Sequence, residues 1–405
     1  MASGIFPLDE VLALGPSQFS PRLVEWAVLF GTLLPFQVAA RLVTLVSGVA
    51  ISGETVRRLT ERAGAAGVAL ETTALERIER ELPAPPTGPA VQHLSVDGAL
   101  VSLRDGSWTE VKTLAIGTVQ AQDASASAPT TVDLSYFSRL ADADTFGRLA
   151  TVETQRRGTT TAGTVVGVVD GALWCQGFLD LHRHDAVRIL DFPHAVGYLA
   201  RAADALYPRD PVRARTWLAD QRRTLLCGDP ELVLARLGES QPPDAADQDE
   251  HIGEALRYLT SRRAQIAYAA FRALGYPIGS GTVESANKLI VEARLKGRGM
   301  HWARHNVNPL VCLRCVDGNG RWQEQWPQLW GQVRAEGRAV TTTRRQRRQQ
   351  PVACPDPGPP AHPAPLPPPA MSLDQQPPRP KLVVNGKPTK NHPWRTHALF
   401  NRRSA

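Results

Sequence analysis

Cysteine is scarce and scattered, with Cys175, Cys227, Cys312, Cys315 and Cys354 the only five in a chain of 405 residues. An odd, dispersed set argues against a disulfide framework. Cys312-Leu-Arg-Cys315 is a lone CxxC without two further ligands nearby, and it reads as two partly buried thiols on a helix rather than a zinc or redox site. Long apolar runs are missing as well. The longest stretch, Val28 to Ile51, is broken by Gly31, Pro35, Gln37 and Arg41, which suits two packed helices better than a membrane span. The opening Met-Ala-Ser-Gly-Ile-Phe has neither the basic start nor the apolar core of a signal peptide, so a cytoplasmic location is expected. Acidic residues are nearly absent from the last part of the chain. From Arg338 onward twelve Lys or Arg face only Asp356 and Asp374, an excess of +10 in a chain of net charge +7, leaving −3 on residues 1–337. A polyanionic partner is therefore met by the tail and by local clusters, not by the charge of the body as a whole.

What is present supports two or three domains and an ordinary globular core, with 42% apolar residues. Ser20-Pro21 is a helix start, and helices are expected over 21–33 and 35–47. Gly48 breaks the chain and Ser52 caps a third helix with Thr55, Val56, Leu59 and Ala63 at core spacing. Arg57, Arg58 and Arg62 on its outer side complete the outline of a helix-turn-helix, for which a plain helical bundle is the rival reading. The expected divisions are a helical DNA-binding domain at 1–82, a proline-rich linker at 83–92, an α/β core at 93–194 and 276–338 interrupted by a helical insertion at 195–275, and a disordered basic tail at 339–405. In the core, strands are expected at 93–97, 99–103 and 110–120 with a tight bend at Gly98, then a helix over 135–157, a strand at 165–169, a short helix around Trp174 and a strand at 187–190. Trp322, Trp326 and Trp330 form a helical stripe that reads as core or an oligomer contact.

Two apolar runs end in a carboxylate and a glycine, Leu94-Ser-Val-Asp97-Gly98 and Val165-Val-Gly-Val-Val-Asp170-Gly171. Glu284 follows in Ile278-Gly-Ser-Gly-Thr-Val-Glu284, at the start of a helix. An aspartate leaving a buried strand needs a partner such as a cation, and three converging carboxylates repel one another unless a cation neutralises them. Oxygen-only ligation suits Mg²⁺ or Mn²⁺, and a pair of such ions about 3.5–4 Å apart catalyses in-line phosphoryl displacement without a side-chain nucleophile. Taken singly, Asp97-Gly98 and Asp170-Gly171 are turn dipeptides and Glu284 is a helix-start charge pairing with Lys288. Their order, two strand ends and then a helix, favours the functional reading. Arg294, Lys296, Arg298 and Arg304, interleaved with His301 and Trp302, are candidate phosphate contacts, and Gly297 and Gly299 would let backbone approach a phosphate. His182 and His184 are expected at the surface.

The chain resembles the DDE transposases of bacterial insertion sequences, in particular the Kra-type group related to Lre-type and Mutator-like transposases. The likeness lies in Ser95-Val-Asp-Gly-Ala99, Val169-Asp-Gly-Ala-Leu-Trp174, Arg188-Ile-Leu-Asp-Phe-Pro-His-Ala195, Gly279-Ser-Gly-Thr-Val-Glu-Ser285 and Arg294-Leu-Lys-Gly-Arg-Gly-Met-His-Trp302. It extends more loosely to Phe6-Pro-Leu-Asp-Glu10 and His392-Pro-Trp-Arg395. The resemblance implies an RNase H-like catalytic core with an all-helical insertion, Asp97, Asp170 and Glu284 as the metal-binding triad, and Mg²⁺ or Mn²⁺, as two ions, for cofactor. The spacings of 73 and 114 residues leave room for the intervening strands and the insertion. Asp191-Phe-Pro-His194 looks like the family's short Cys/Asp-x-x-His motif, which makes His194 a candidate to contact a scissile phosphate or orient water and Asp191 the alternative middle acid. Relatives often carry a cysteine-rich, zinc-ribbon-like segment ahead of the stretch that here begins Gly4-Ile-Phe-Pro; this sequence has none, which bears on recognition of element ends rather than on catalysis.

The expected function is an insertion-sequence transposase that cuts and joins DNA at its element's ends, nucleoid-associated, on double-stranded end and target DNA, as a homodimer or higher oligomer. The alternatives are an RNase H-fold nuclease or resolvase without strand transfer, and an inactive DNA-binding relic. Paired-carboxylate glycoside hydrolysis fits least, because it gives no reason for the basic segment after Glu284.

Overall fold

The computed structural model describes residues 19–120, 129–240 and 249–349, with 383–384 and 387–388. Its centre is a mixed sheet of β1 Val91–Ser102, β2 Trp108–Val119, β3 Thr131–Arg139, β4 Thr164–Val169 and β5 Val187–Leu190, in the order β3-β2-β1-β4-β5. The first three strands are antiparallel neighbours, whereas β4 and β5 run parallel to β1. One face, through Leu94, Val96, Leu114, Ile116 and Val169, packs on helices α4 Ala143–Arg156 and α5 Leu173–Arg183. The alternate residues Ala99, Val101 and Val111 pack on the segment from α11 Gly281–Ala286 through the π-helical Asn287–Glu292 to Leu295, and on α12 Arg304–Gly318. Val166, Val168 and Ile189 contribute to a third cluster with the helical insertion. The period-2 alternation of a strand thus supplies both layers of an α/β fold.

The insertion comprises α6 Phe192–Leu206, α7 Pro211–Cys227, α8 Pro230–Glu239, α9 Asp249–Ser261 and α10 Tyr268–Ala273. Asp191, Asp210 and Asp229 cap the first three, each accepting an amide two or three residues on, with proline in the first turn. A 3₁₀ turn at Arg263–Gln265 separates α9 from α10.

Two expectations for the strands are corrected. Gly98 makes no bend: β1 runs straight through it, paired with Lys112. The Glu110 side chain lies where a Cβ on Gly98 would stand, so the glycine serves close approach and not a turn. Residues 131–139, which include the start of the helix expected over 135–157, form β3, because Ile116, Ala115 and Leu114 of β2 offer it a ladder. His182, expected at the surface, is buried, with its ring at 3.0 Å from the Gly147 carbonyl.

The opening helices are α1 Pro21–Leu33, α2 Phe36–Ser47 and α3 Gly53–Glu81. Ser20 and Ser52 accept the amides of Leu23 and Thr55, and Gly48 ends α2 at φ 70°. The helix-turn-helix outline is present, but α3 is 29 residues long and seated against α12, where a Cβ on Gly64 would strike the Pro309 backbone. Val24, Val28, Ala63 and Ala66 share one core with Leu313, Val316 and the stacked Trp322, Trp326 and Trp330 of α13 Trp322–Gln349. These helices are therefore continuous with the α/β core: Met1–Arg344 forms one compact unit and Arg345–Ala405 another. Helix α13 runs ten residues past the tail boundary expected at 339. Within the second unit Val383–Val384 pairs with Lys387–Pro388; the expected disorder of the rest of the tail, like the motifs around Phe6 and His392, lies outside the described residues. Among the described residues no helix is long and apolar enough to cross a membrane. Cys312 and Cys315 are both buried on α12, as two thiols on a helix.

Burial holds the imidazoles of His93 and His182 down at about 4, against an ordinary 6.5. The native state binds fewer protons than the unfolded one, so this stability is intact above pH 6.5 and lost as pH falls toward 4. The expected loss is about 1.4 kcal/mol per pH unit for each imidazole. The raised carboxyl of Asp97 acts in the opposite sense at the acid end. Urea unfolding should show a lower midpoint at pH 5 than at pH 7; equal midpoints would refute the assignment.

Candidate active site

Asp97 is placed by register. Leu94 pairs with Gly167 at the last rung of the parallel β1–β4 ladder, and three residues beyond it on each side Asp97 and Asp170 lie close enough for their charges to interact. The Ser95 hydroxyl donates to the Val168 carbonyl at 2.6 Å and ties β1 to the end of β4. The Asp97 carboxyl is pushed up from its ordinary value by burial first and also by the neighbouring charge of Asp170, while the Gly98 amide and Asn287 oppose the shift. Two like charges held side by side, Asp97 within β1 and Asp170 just past the end of β4, are what a cation relieves.

Asp170 stands in a turn with Gly171 at φ 84°. Its Oδ1 accepts the Ala172 amide at 2.9 Å and faces the Cys175 thiol at 3.4 Å. Burial, then the charge of Asp170, pushes that thiol up, so Cys175 stays protonated and donates.

Glu284 is exposed in the first turn of α11, with the Ser280 hydroxyl at 3.4 Å from Oε1. The same helix reaches Asp97 through a residue that sequence reading passed over. Asn287, buried and three residues beyond Glu284, donates from Nδ2 to Asp97 Oδ2 at 2.8 Å. Its Oδ1 meets no donor among the described residues. The spacing from Glu284, one helical turn, was the available signal. The helix widens to a π-helix at Asn287–Glu292, and the buried Arg314 donates to the freed carbonyls of Leu289 and Ile290. π-helical turns are frequent at functional sites.

The three expected carboxylates are thus brought together only in part. Asp97 and Asp170 adjoin, and Glu284 lies a turn from the Asn287 that touches Asp97. Among the described residues no group of three or more His, Cys, Asp or Glu side chains could hold a metal ion. Glu110, missed in the sequence because its strand neighbours carry no motif, adds negative charge near Asp97 and is paired with Lys112 at 2.5 Å.

Asp191 is buried with both oxygens committed: Oδ2 accepts the His194 amide at 2.9 Å and Oδ1 the Ser280 amide at 2.7 Å. It caps α6 and fixes the loop that launches α11. The His194 ring is exposed, beside Tyr198 at 5.5 Å and Tyr258 at 5.9 Å.

The expected cationic contacts divide sharply. Arg294, expected to hold phosphate, is buried at 2% exposure with its guanidinium on the Gly31 carbonyl and over the rings of Phe36 and Trp302. Lys296 pairs with Glu292 at 2.6 Å, Arg304 bonds the Thr109 hydroxyl at 3.3 Å, and both are exposed, as is Arg298. A Cβ on Gly297 would press on Met300, so its small size serves the local turn. On α3, Arg57 is neutralised by Glu54 and Glu61, each at 2.5 Å, and Arg62 donates to the Val333 carbonyl at 3.0 Å. Arg58 is exposed. No protein-family model and no curated protein matches the chain.

Proposed function

We propose that the chain is a metal-dependent phosphoryl-transfer enzyme acting on DNA, an insertion-sequence transposase with an RNase H-like core. The observation that carries this reading is the Asp97–Asp170 pair on adjacent parallel strands, with Asp97 held by Asn287 from the helix that bears Glu284. The donor set fits Mg²⁺ or Mn²⁺ in its chemistry, since every group offered is a carboxylate or amide oxygen. Asp97 and Asp170 would hold the ion, and Glu284 would join from the covering helix. A divalent cation bound there supplies activation of the attacking oxygen and stabilisation of the leaving oxygen. Asn287 orients Asp97, and the Ala172 amide with the Cys175 thiol orients Asp170. Asp170 rather than Asp191 is the middle acid of this reading, because both oxygens of Asp191 are spent on backbone amides.

Purified protein incubated with Mg²⁺ and DNA carrying the element ends should nick at those ends and join them to a target duplex. Hydrolysis without joining would assign a nuclease or resolvase, and binding without cutting would assign a relic. Arg298 and Arg304 are exposed cations that follow the helix bearing Glu284, and they are candidate contacts to double-stranded DNA. Changing both to alanine should lower the log–log salt slope of binding by up to about 1.8. Fluorescence anisotropy across a salt series measures it, and an unchanged slope excludes both from the phosphate path.

A further inference from the structure

We propose that Tyr258 and Arg262 of the helical insertion are positioning residues for Asp170, bracing its turn from outside against repulsion by Asp97. This rests on the functional reading above.

The turn after β4 offers two backbone acceptors, and both are taken by the insertion. The Tyr258 hydroxyl donates to the carbonyl of Asp170, 88 residues earlier. Arg262 Nη2 donates to the carbonyl of Gly171 at 2.7 Å, 91 residues earlier. A Cβ on Gly171 would stand 2.5 Å from both Tyr258 Oη and Arg262 Nε, so the turn is seated directly against the pair. Rotation of either peptide plane would break these bonds, and the orientation of those planes sets where the Asp170 carboxylate points. The turn follows a six-residue strand and carries a left-handed glycine, Gly171, and these two bonds oppose an outward relaxation driven by the like charge of Asp97.

The brace is itself stiffened. The Arg262 guanidinium lies 3.8 Å over the Tyr258 ring, Tyr198 stacks on the ring's other face at 3.9 Å, and Arg201 lies 4.2 Å over Tyr198. The column Arg262–Tyr258–Tyr198–Arg201 is closed at each end by a guanidinium. It leaves no ring face for a nucleobase, which distinguishes a support from a stacking platform. Burial pushes the Tyr258 hydroxyl up to about 12, so it keeps the proton it donates. The helical insertion thereby acts on the catalytic core through two hydrogen bonds to one turn.

Tyr258→Phe separates the two roles, because it keeps the stacked ring and removes only the bond to Asp170. The expected result is a melting temperature and a DNA KM like the parent's, with kcat for end cleavage lower by about ten- to a hundredfold. The Mg²⁺ concentration for half-maximal rate should rise, and hydrogen exchange of metal-free protein should quicken in the peptide spanning Val168 to Cys175. Arg262→Lys should give a smaller effect of the same kind. Unchanged kcat and exchange in Tyr258→Phe overturn the proposal, as does a fall in kcat that follows a fall in melting temperature. If the parent itself cuts no DNA, the functional reading fails, and the exchange measurement alone decides whether the brace exists.

Discussion

Asp97→Asn and Glu284→Gln are each expected to abolish Mg²⁺-dependent cleavage of element-end DNA, by about a thousandfold or more, while DNA binding stays near the parent's. Each change keeps the side chain's shape and removes a charge that a cation needs. The two should differ in stability. Asp97 is held where burial and the charge of Asp170 both disfavour its ionised form, so the neutral amide is expected to melt no lower, and to melt higher without metal. Glu284 is exposed, and its replacement should leave the melting temperature alone. Asp170→Asn should behave like Asp97→Asn in the cleavage assay. Asp191→Asn should instead melt lower, by about 1–2 kcal/mol of lost capping, because it weakens the bonds to the His194 and Ser280 amides. Parent-like cleavage by Asp97→Asn or Asp170→Asn would remove the paired aspartates from the catalytic site.

Arg294→Ala is expected to destabilise the fold by about 3 kcal/mol and to lower the melting temperature by roughly 5–10 °C, without changing the salt slope of DNA binding. The reason begins with Pro35. In α1 the Gly31 carbonyl would accept from the amide four residues on, but proline at that position has none to give. Arg294 supplies the missing donors from Nε and Nη2, both at 3.2 Å, and its flat cation fills the space between Phe36 at 4.6 Å and Trp302 at 5.1 Å. Burial pulls this guanidinium down to about 10, the direction expected of a cation kept from water. Truncation leaves a buried carbonyl unpaired and a hole between two rings. Lysine should not rescue, because it lacks the planar fork. A thermal melt beside an anisotropy salt series decides: a parent-like melt with a slope lowered by about 0.9 would return Arg294 to the phosphate path.

Much of the chain was legible in sequence because it depends on neighbours a few residues away. The capping serines at 20 and 52, the left-handed Gly48, the apolar run Val165–Val169 halted by Asp170, and the Asp-Pro starts at 210 and 229 specify their elements locally. The same locality fixed the carboxylate that follows β4 and the helix start at Glu284, whereas Asp97, expected at a strand end, lies inside β1 because its ladder to β2 continues to Ser102. Strand β3 was not legible, since Thr131–Arg139 is held by a ladder to β2 rather than by its own periodicity. The straightness of β1 at Gly98 was likewise decided across the sheet, by its pairing with Lys112 of β2.

The sequence by itself determined which acids, hydroxyls and caps exist and at which helix starts the caps fall, because φ/ψ preference and side-chain alternation act over one or two turns. Only the tertiary structure decided which of them meet. Asp97 faces Asp170 through a register between strands 73 residues apart, and Asn287 reaches Asp97 from 190 residues away. Tyr258 reaches the Asp170 turn across 88 residues, and Arg294 is withdrawn into the core by a carbonyl 263 residues upstream. Such contacts form only when burial of the shared apolar faces has brought the elements together, and no local pattern of residues encodes their partners.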